Sequence, residues 1–166
     1  NTGYSYAKQI KDVCDKYGVS PSCLKIELTE TSLLNDLSIA KELFDELTEL
    51  GVALCIDDFG TGFSSLTHLR QLPVSLIKID QSFVRDMLSD QDDMAIVESV
   101  IYMANRFKRP MLAEGVETLE HAKALMALGC ELAQGYGIAR PMPPEAVSEW
   151  LTHWTQRHEW RALATL

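Results

Sequence analysis

The sequence predicts an α/β fold: a TIM-like (β/α) barrel, incomplete in this chain, with about five parallel strands and intervening helices. Three observations predict it. Short apolar or alternating runs recur between helical stretches, which implies βαβ units and a parallel sheet. A carboxylate or a lysine falls at or near the C-terminal end of each run: Glu27, Asp57 and Asp58, Lys78 and Asp80, and Glu114, with Gln134 just past the fifth. Functional groups on every strand suit the top face of a barrel, whereas a doubly wound sheet gathers its ligands at one switch point. A complete barrel has eight strands and roughly 250 residues. The 166 residues of this chain are therefore read as one partial domain spanning 1–166.

Each element follows from local pattern. Tyr6, Ile10, Val13, Cys14 and Tyr17 fall at helical spacing, and Gly18 ends that helix. Leu24 to Thr29 alternates as a strand does. A helix over Leu37 to Leu50 stops at Gly51, and the apolar strand Val52 to Ile56 follows. Asp57-Asp58-Phe59-Gly60-Thr61-Gly62 is read as the turn after it. Ser64 and Ser65 can cap a short helix that Pro73 terminates. Leu76 to Asp80 is the third strand. A helix over Asp92 to Phe107 precedes the strand Met111 to Glu114. Thr118 caps a helix that ends near Gly129, and Glu131 to Tyr136 is the last strand. Pro143-Pro144-Glu145 opens a final helix, with proline in its first turn. From Thr155 the tail is polar with Trp160 and Leu163 interspersed, which suits a docking helix or a frayed end.

Composition narrows the function. With 46% hydrophobic and 23% charged residues the chain can build a core. A formal net charge of −9 disfavours nucleic acid as a partner, because no basic surface releases counterions. Cys14, Cys23, Cys55 and Cys130 show no CxxC pairing and are expected to be reduced and buried. His68, His121, His153 and His158 are scattered and form no zinc pattern. No apolar run approaches the roughly 20 residues that span a bilayer, and no signal peptide is expected. A cytoplasmic location is expected, with any membrane anchor elsewhere in the parent protein.

The chemistry concentrates at the Asp57-Asp58 pair. Adjacent residues on an extended strand point to opposite faces, so the second Asp must bend to join the first. Two carboxylates at one point repel unless a cation or a proton lies between them. As a helix cap plus a surface Asp the pair would be unremarkable, but its place after a buried strand favours a site. Lys78 lies between Ile77 and Ile79 on a buried strand, where a lysine is paired or functional more often than solvated. Glu27 and Glu30, Glu114 and Glu117, and Gln134 each have an ordinary reading as strand-end, helix-start or turn groups. Their joint placement on one barrel face favours a site.

In order along the chain stand E-L-T-E at 27–30, D-D-F-G-T-G-F-S-S-L at 57–66, K-I-D at 78–80, A-E-G-V-E at 113–117, and Q-G-Y at 134–136 followed by Arg140-Pro141. Each alone is weak to moderate; the ordered set is specific. It resembles the EAL domain, the bacterial phosphodiesterase that hydrolyses cyclic di-GMP. The resemblance covers nearly the whole chain and corresponds to the C-terminal two-thirds of that domain.

The resemblance implies two Mg²⁺ or Mn²⁺ ions at the barrel top and hydrolysis to linear pGpG. By motif, Glu27 and Asp57 ligate the first metal. Asp57 bridges to the second, which Asp58 also binds. Lys78 contacts the attacking water or the phosphate. Glu114 supports the second metal or its water. Lys78, Glu114 and Asp58 are then the catalytic set, and Lys78, Glu117 and Gln134 place the ligand. Glu30 and Asp80 hold the loop of Phe59, Gly60, Thr61 and Gly62 and link it to a dimer contact. A homodimer and an upstream sensory or GGDEF domain are the implied partners. The chemistry agrees: a phosphodiester is an anion, an acidic pocket repels it without divalent metals, and hard oxygen donors suit Mg²⁺ and Mn²⁺.

The match departs from the family at one end. The Glu-Ala-Leu motif on an early strand, whose Glu binds metal, has no counterpart in that position. Glu145-Ala146-Val147 is similar in letters but opens the last helix. The family's metal-binding Asn has none either, since Asn1 falls too close to ELTE. The chain alone is therefore expected to be hydrolytically weak or inactive, and to associate or be unstable with open strand edges. Three other readings are a non-catalytic cyclic di-GMP receptor, a dimerising signalling module, and a barrel enzyme for another phosphate ester.

Overall fold

Five parallel strands lie side by side in chain order: β1 (Lys25–Thr29), β2 (Ala53–Phe59), β3 (Leu76–Ile79), β4 (Met111–Ala113) and β5 (Leu132–Ala133). This is the arrangement in a computed structural model, which describes residues 6–30, 37–62, 72–157 and 159–160. The helices between them are α1 (Tyr6–Tyr17), α2 (Leu37–Glu49), α3 (Gln81–Asp86), α4 (Gln91–Arg106), α5 (Leu119–Ala127) and α6 (Pro144–Trp154). Right-handed crossovers between parallel strands in unbroken order put the helices on one face and leave the other concave. That is a partial TIM-like barrel.

The core forms where helical stripes meet the strands. Phe44 and Leu47 from α2, Val97 and Ile101 from α4, and Leu125 from α5 join Leu54, Ile56, Ile77, Ile79 and Ala113. Caps set the helix starts: Asp90 Oδ1 accepts from the amides of Asp92 and Asp93 at 2.8 and 3.3 Å, and Thr118 Oγ1 from that of His121 at 3.3 Å. No described helix is long and apolar enough to cross a membrane.

Several expectations need correction. β2 does not end at Ile56 but continues through Asp57 and Asp58 to Phe59, because a bulge lets pairing with β3 resume at Phe59–Ile79. β3 stops at Ile79, and Asp80 instead caps α3, a helix the sequence reading lacks. β5 is two residues rather than six: Gly135 turns with φ 157° and the ladder ends. Cys14, Cys55 and Cys130 are buried thiols, but Cys23 is exposed because it ends a 3-10 turn at the surface. The Ser64–Ser65 helix lies outside the described residues.

The stripe on α1 buries only Ala7 and Cys14. Tyr6, Val13 and Tyr17 are exposed and, with Ile10, Val19 and Leu24, line an apolar groove of about 450 Å³. None of the strand-end carboxylates lines this groove.

Candidate functional site

The strand ends converge on Lys78. Ile77 and Ile79 face the core at 0% exposure, so alternation along β3 sends the Lys78 side chain to the concave face. Its Nζ lies 2.7 Å from Glu114 Oε1, 2.9 Å from Glu27 Oε2 and 3.0 Å from Asp57 Oδ1. These partners stand on β1, on β2 and just past β4, so the parallel register sets the convergence. Burial works against the lysine's charge. The contacts with Glu114, Glu27 and Asp57 outweigh it and hold the ammonium pKa above the usual lysine value.

The carboxylates differ in environment. Glu27, on the edge strand, is about half exposed, whereas Glu114 is largely covered. Burial pushes the Glu114 carboxyl pKa up, and Lys78 partly restrains it. Gln134 Nε2 donates to Glu114 Oε1 at 2.7 Å, so one oxygen serves both the lysine and the amide.

The tandem Asp pair is brought together by backbone. Asp58 sits at φ 54°, and the bulge falls between Ile56 and Phe59. Strict alternation would have parted the two side chains. Asp57, Asp58 and Glu114 each offer an oxygen, and these atoms all lie within 4.8 Å of one another. Asp57 Oδ1 is buried with no hydrogen-bond partner: Lys78 is near it as an ion but outside hydrogen-bond geometry. Burial, a hydrogen bond with Asp80 and the Asp57 charge push the Asp58 carboxyl up. Asp80 is held low despite its own burial, because Ser82 donates to it through the amide and the hydroxyl.

Glu30 holds the following loop. Its side chain is 1% exposed, and Oε2 accepts from the amides of Gly60 at 2.9 Å and Gly62 at 3.2 Å. Thr61 Oγ1 donates to the Asp58 carbonyl at 2.8 Å, and Phe59 is buried in the core. Gly60 has φ 105°, and a Cβ there would lie 3.1 Å from the Phe83 ring on α3.

Beside the carboxylates opens a polar cleft of about 490 Å³ lined by Gln81, Glu114, Glu117, Gln134, Tyr136 and Arg140. The Arg140 guanidinium lies 4.4 Å from the Tyr136 ring centroid. Glu27, Asp57, Asp58, Lys78, Glu114 and Gln134 thus meet in one cluster, while Glu117 stands on the cleft wall. Glu30 and Asp80 support the Asp57–Gly62 segment from either side. Sequence reasoning missed Gln81 and Tyr136 as cleft residues. The Gln-Gly-Tyr string was the available signal for Tyr136; none marked Gln81, which follows a strand directly into a short helix.

The arrangement suits a divalent cation. A buried carboxylate oxygen without a hydrogen-bond partner, two further carboxylate oxygens in reach, and several acidic groups facing one ammonium form a hard, anionic donor set.

Comparison with known proteins gives a consistent result. The EAL domain family model matches residues 3–141. Cyclic di-GMP phosphodiesterase NbdA of Pseudomonas aeruginosa is 40% identical over 147 residues, covering 89% of this chain and 19% of that protein. The chain therefore spans about a fifth of this relative's length. Among solved structures, the PaMucR phosphodiesterase in complex with c-di-GMP superposes with a TM-score of 0.83 at 35% identity, over 88% of this chain and 59% of the other. Klebsiella pneumoniae BlrP1, solved with manganese and cyclic di-GMP, gives a TM-score of 0.73 at 34% identity, over 80% and 34%.

Proposed function

The chain belongs to the EAL domain family, and from that premise we propose that it contributes a catalytic face to a metal-dependent phosphodiesterase that hydrolyses cyclic di-GMP to linear pGpG. The observation that carries the reading is the buried Asp57 Oδ1, which is ion-paired to Lys78 at 3.0 Å but accepts no hydrogen bond and lies within reach of Asp58 and Glu114. In the hydrolysis a water oxygen bonds to phosphorus, one phosphodiester P–O bond breaks, and the departing sugar oxygen takes a proton.

Asp57, Asp58 and Glu114, with Glu27, are the residues that would hold Mg²⁺ or Mn²⁺. Bound there, such ions supply an acidified water and neutralise phosphate charge. Lys78 keeps a fixed positive charge where negative charge develops in the transition state. Gln134 fixes Glu114 through its amide, so that carboxylate keeps one orientation. Glu30 pins the backbone after Asp58, which holds the tandem pair in place before any ligand arrives. Glu117, Tyr136 and Arg140 line the cleft into which the rest of the dinucleotide extends.

Turnover by this chain alone is expected to be slow, because Glu27 is about half exposed on an edge strand. The test is incubation with cyclic di-GMP and Mn²⁺ or Mg²⁺, with pGpG followed by chromatography. Metal-dependent pGpG that Asp57→Asn abolishes supports the reading. If the chain, and a longer form with the preceding residues, bind the ligand but never cut it, the function is that of a receptor.

A further inference from the structure

The C-terminal segment lies beyond the 3–141 family match and carries all three tryptophans of the chain, Trp150, Trp154 and Trp160. They form one cluster. Trp150 stacks on Trp154 with centroids 5.3 Å apart, and Trp154 lies 5.4 Å from Trp160. Trp160 also packs against the core. The Arg157 guanidinium sits 5.2 Å from the Trp154 ring centroid and 5.6 Å from that of Trp160. Contact with two aromatic rings restricts a long, rotamer-rich side chain. So held, its Nη1 donates to the Gly137 carbonyl at 3.1 Å.

Gly137 ends the loop that begins at Gln134, and that loop touches the cleft without side-chain padding. A Cβ on Gly137 would fall 2.4 Å from the Glu117 carbonyl oxygen, and one on Gly135 would fall 2.3 Å from the Val116 amide nitrogen. Two backbone hydrogen bonds join the strips, each at 3.0 Å: Val116 N–H to Gln134 O, and Gly137 N–H to Val116 O. Backbone against backbone leaves no rotamer to absorb a displacement, so 134–137 and 116–117 move together. Gln134 in turn donates to Glu114, which contacts Lys78. Among the described residues α6 has none that is buried, so few contacts besides the Trp–Arg157 group tie this segment down.

We propose that Arg157 is a positioning residue for the cleft: it clamps Gly137, steadies the loop that presents Gln134 to Glu114, and so couples ligand occupation to the tryptophan cluster. The ligand half of this inference rests on the functional reading above. Arg157 touches neither the carboxylates nor the cleft lining, and it acts only through the loop.

Amide hydrogen exchange on the ligand-free chain tests the clamp. In Arg157→Ala the amides of 134–139 should exchange about five- to tenfold faster, the worth of one ordinary net hydrogen bond, since the Arg157–Gly137 contact is exposed. Arg157→Lys, which keeps the cation and a donor, should recover part of the protection. The amides of α4 should not change. Equal rates over 134–139, or an equal rise across α4, would overturn the clamp.

The second arm titrates cyclic di-GMP with Mn²⁺, reading tryptophan emission and calorimetric heat on the same samples. Heat with an emission change in the wild type, and heat without one in Arg157→Ala, supports the coupling. Heat without an emission change in the wild type overturns the coupling and leaves the functional reading intact. No heat from the wild type overturns that reading and, with it, the ligand half of this inference, while the clamp stands or falls by hydrogen exchange.

Discussion

Lys78→Met gives the sharpest test of the site. Methionine keeps the length and apolar stem but removes the only ammonium among the described carboxylates of the cluster. Breaking a buried pair by deleting one partner costs ~3–5 kcal/mol. That figure needs a discount here. Glu27 is 46% exposed, so its share is screened and small. The loss falls on Asp57 and Glu114, whose side chains are 22% and 13% exposed. Either can also take up a proton, which limits the repulsion. We expect a loss of about 2–3 kcal/mol, a large part of a domain stability of roughly 5–15 kcal/mol. A divalent cation offers the same carboxylates a replacement charge. At 100 times its dissociation constant it adds about 2.7 kcal/mol, so Mn²⁺ should stabilise the variant more than the wild type. Urea unfolding of both proteins, with and without MnCl₂, reads this directly. A metal-free variant within about 0.5 kcal/mol of the wild type would refute the ion-pair account. Failure of Mn²⁺ to stabilise either protein would refute the cation site.

Four further perturbations separate the parts of the site. Glu30→Ala removes the acceptor of the Gly60 and Gly62 amides and should cost about 2–3 kcal/mol in denaturant unfolding, with Glu30→Gln about half as damaging; an unchanged midpoint would exclude Glu30 as the loop anchor. Gly60→Ala combines φ 105° with a Cβ 3.1 Å from Phe83, so a loss of ~1–3 kcal/mol is expected in thermal melts, and an unshifted melt would count against the strain. Asp57→Asn should weaken Mn²⁺ binding at least tenfold by calorimetry while leaving stability within about 1 kcal/mol, since Lys78 loses one ion-pair partner but keeps Glu27 and Glu114; wild-type affinity would remove Asp57 from the donor set. Asp58→Gly relieves a left-handed backbone and should raise stability by up to about 1 kcal/mol while lowering Mn²⁺ affinity; a destabilised variant would show that Asp58's contacts outweigh its strain.

Much of the architecture was legible because the physics was local. The reading of α1 matched Tyr6–Tyr17 residue for residue, since a 3.6-residue period and a following glycine define both ends. The end of β2 was misplaced because Asp-Asp-Phe-Gly reads as turn chemistry, while a bulge preserves the ladder through Phe59. α3 was missed because six residues are too few for a period, although Asp80 two residues before Ser82 is a cap signal. β5 was overextended because alternation persists past Gly135, where the backbone turns away. Membership of the site could be read from strand ends. Its central contact could not: Lys78 and Glu27 are 51 residues apart, and only register brings them to 2.9 Å.

The tandem Asp pair shows why fold and site are inseparable at this point. An ideal β2 would send Asp57 and Asp58 to opposite faces. Joining them requires the bulge and the left-handed Asp58, a conformation that costs of order 1–3 kcal/mol for a non-glycine residue. Such a conformation persists only where its surroundings over-determine it. Glu30 fixes Gly60 and Gly62 ahead of it, Thr61 ties back to its own carbonyl, and Asp80 takes its side chain. Asp80 can do so because it also caps α3, which packs closely against α4. The strained residue is thus held by the same helix pair that closes the core beneath β3. The tandem carboxylates are held in place by fixed contacts on both sides.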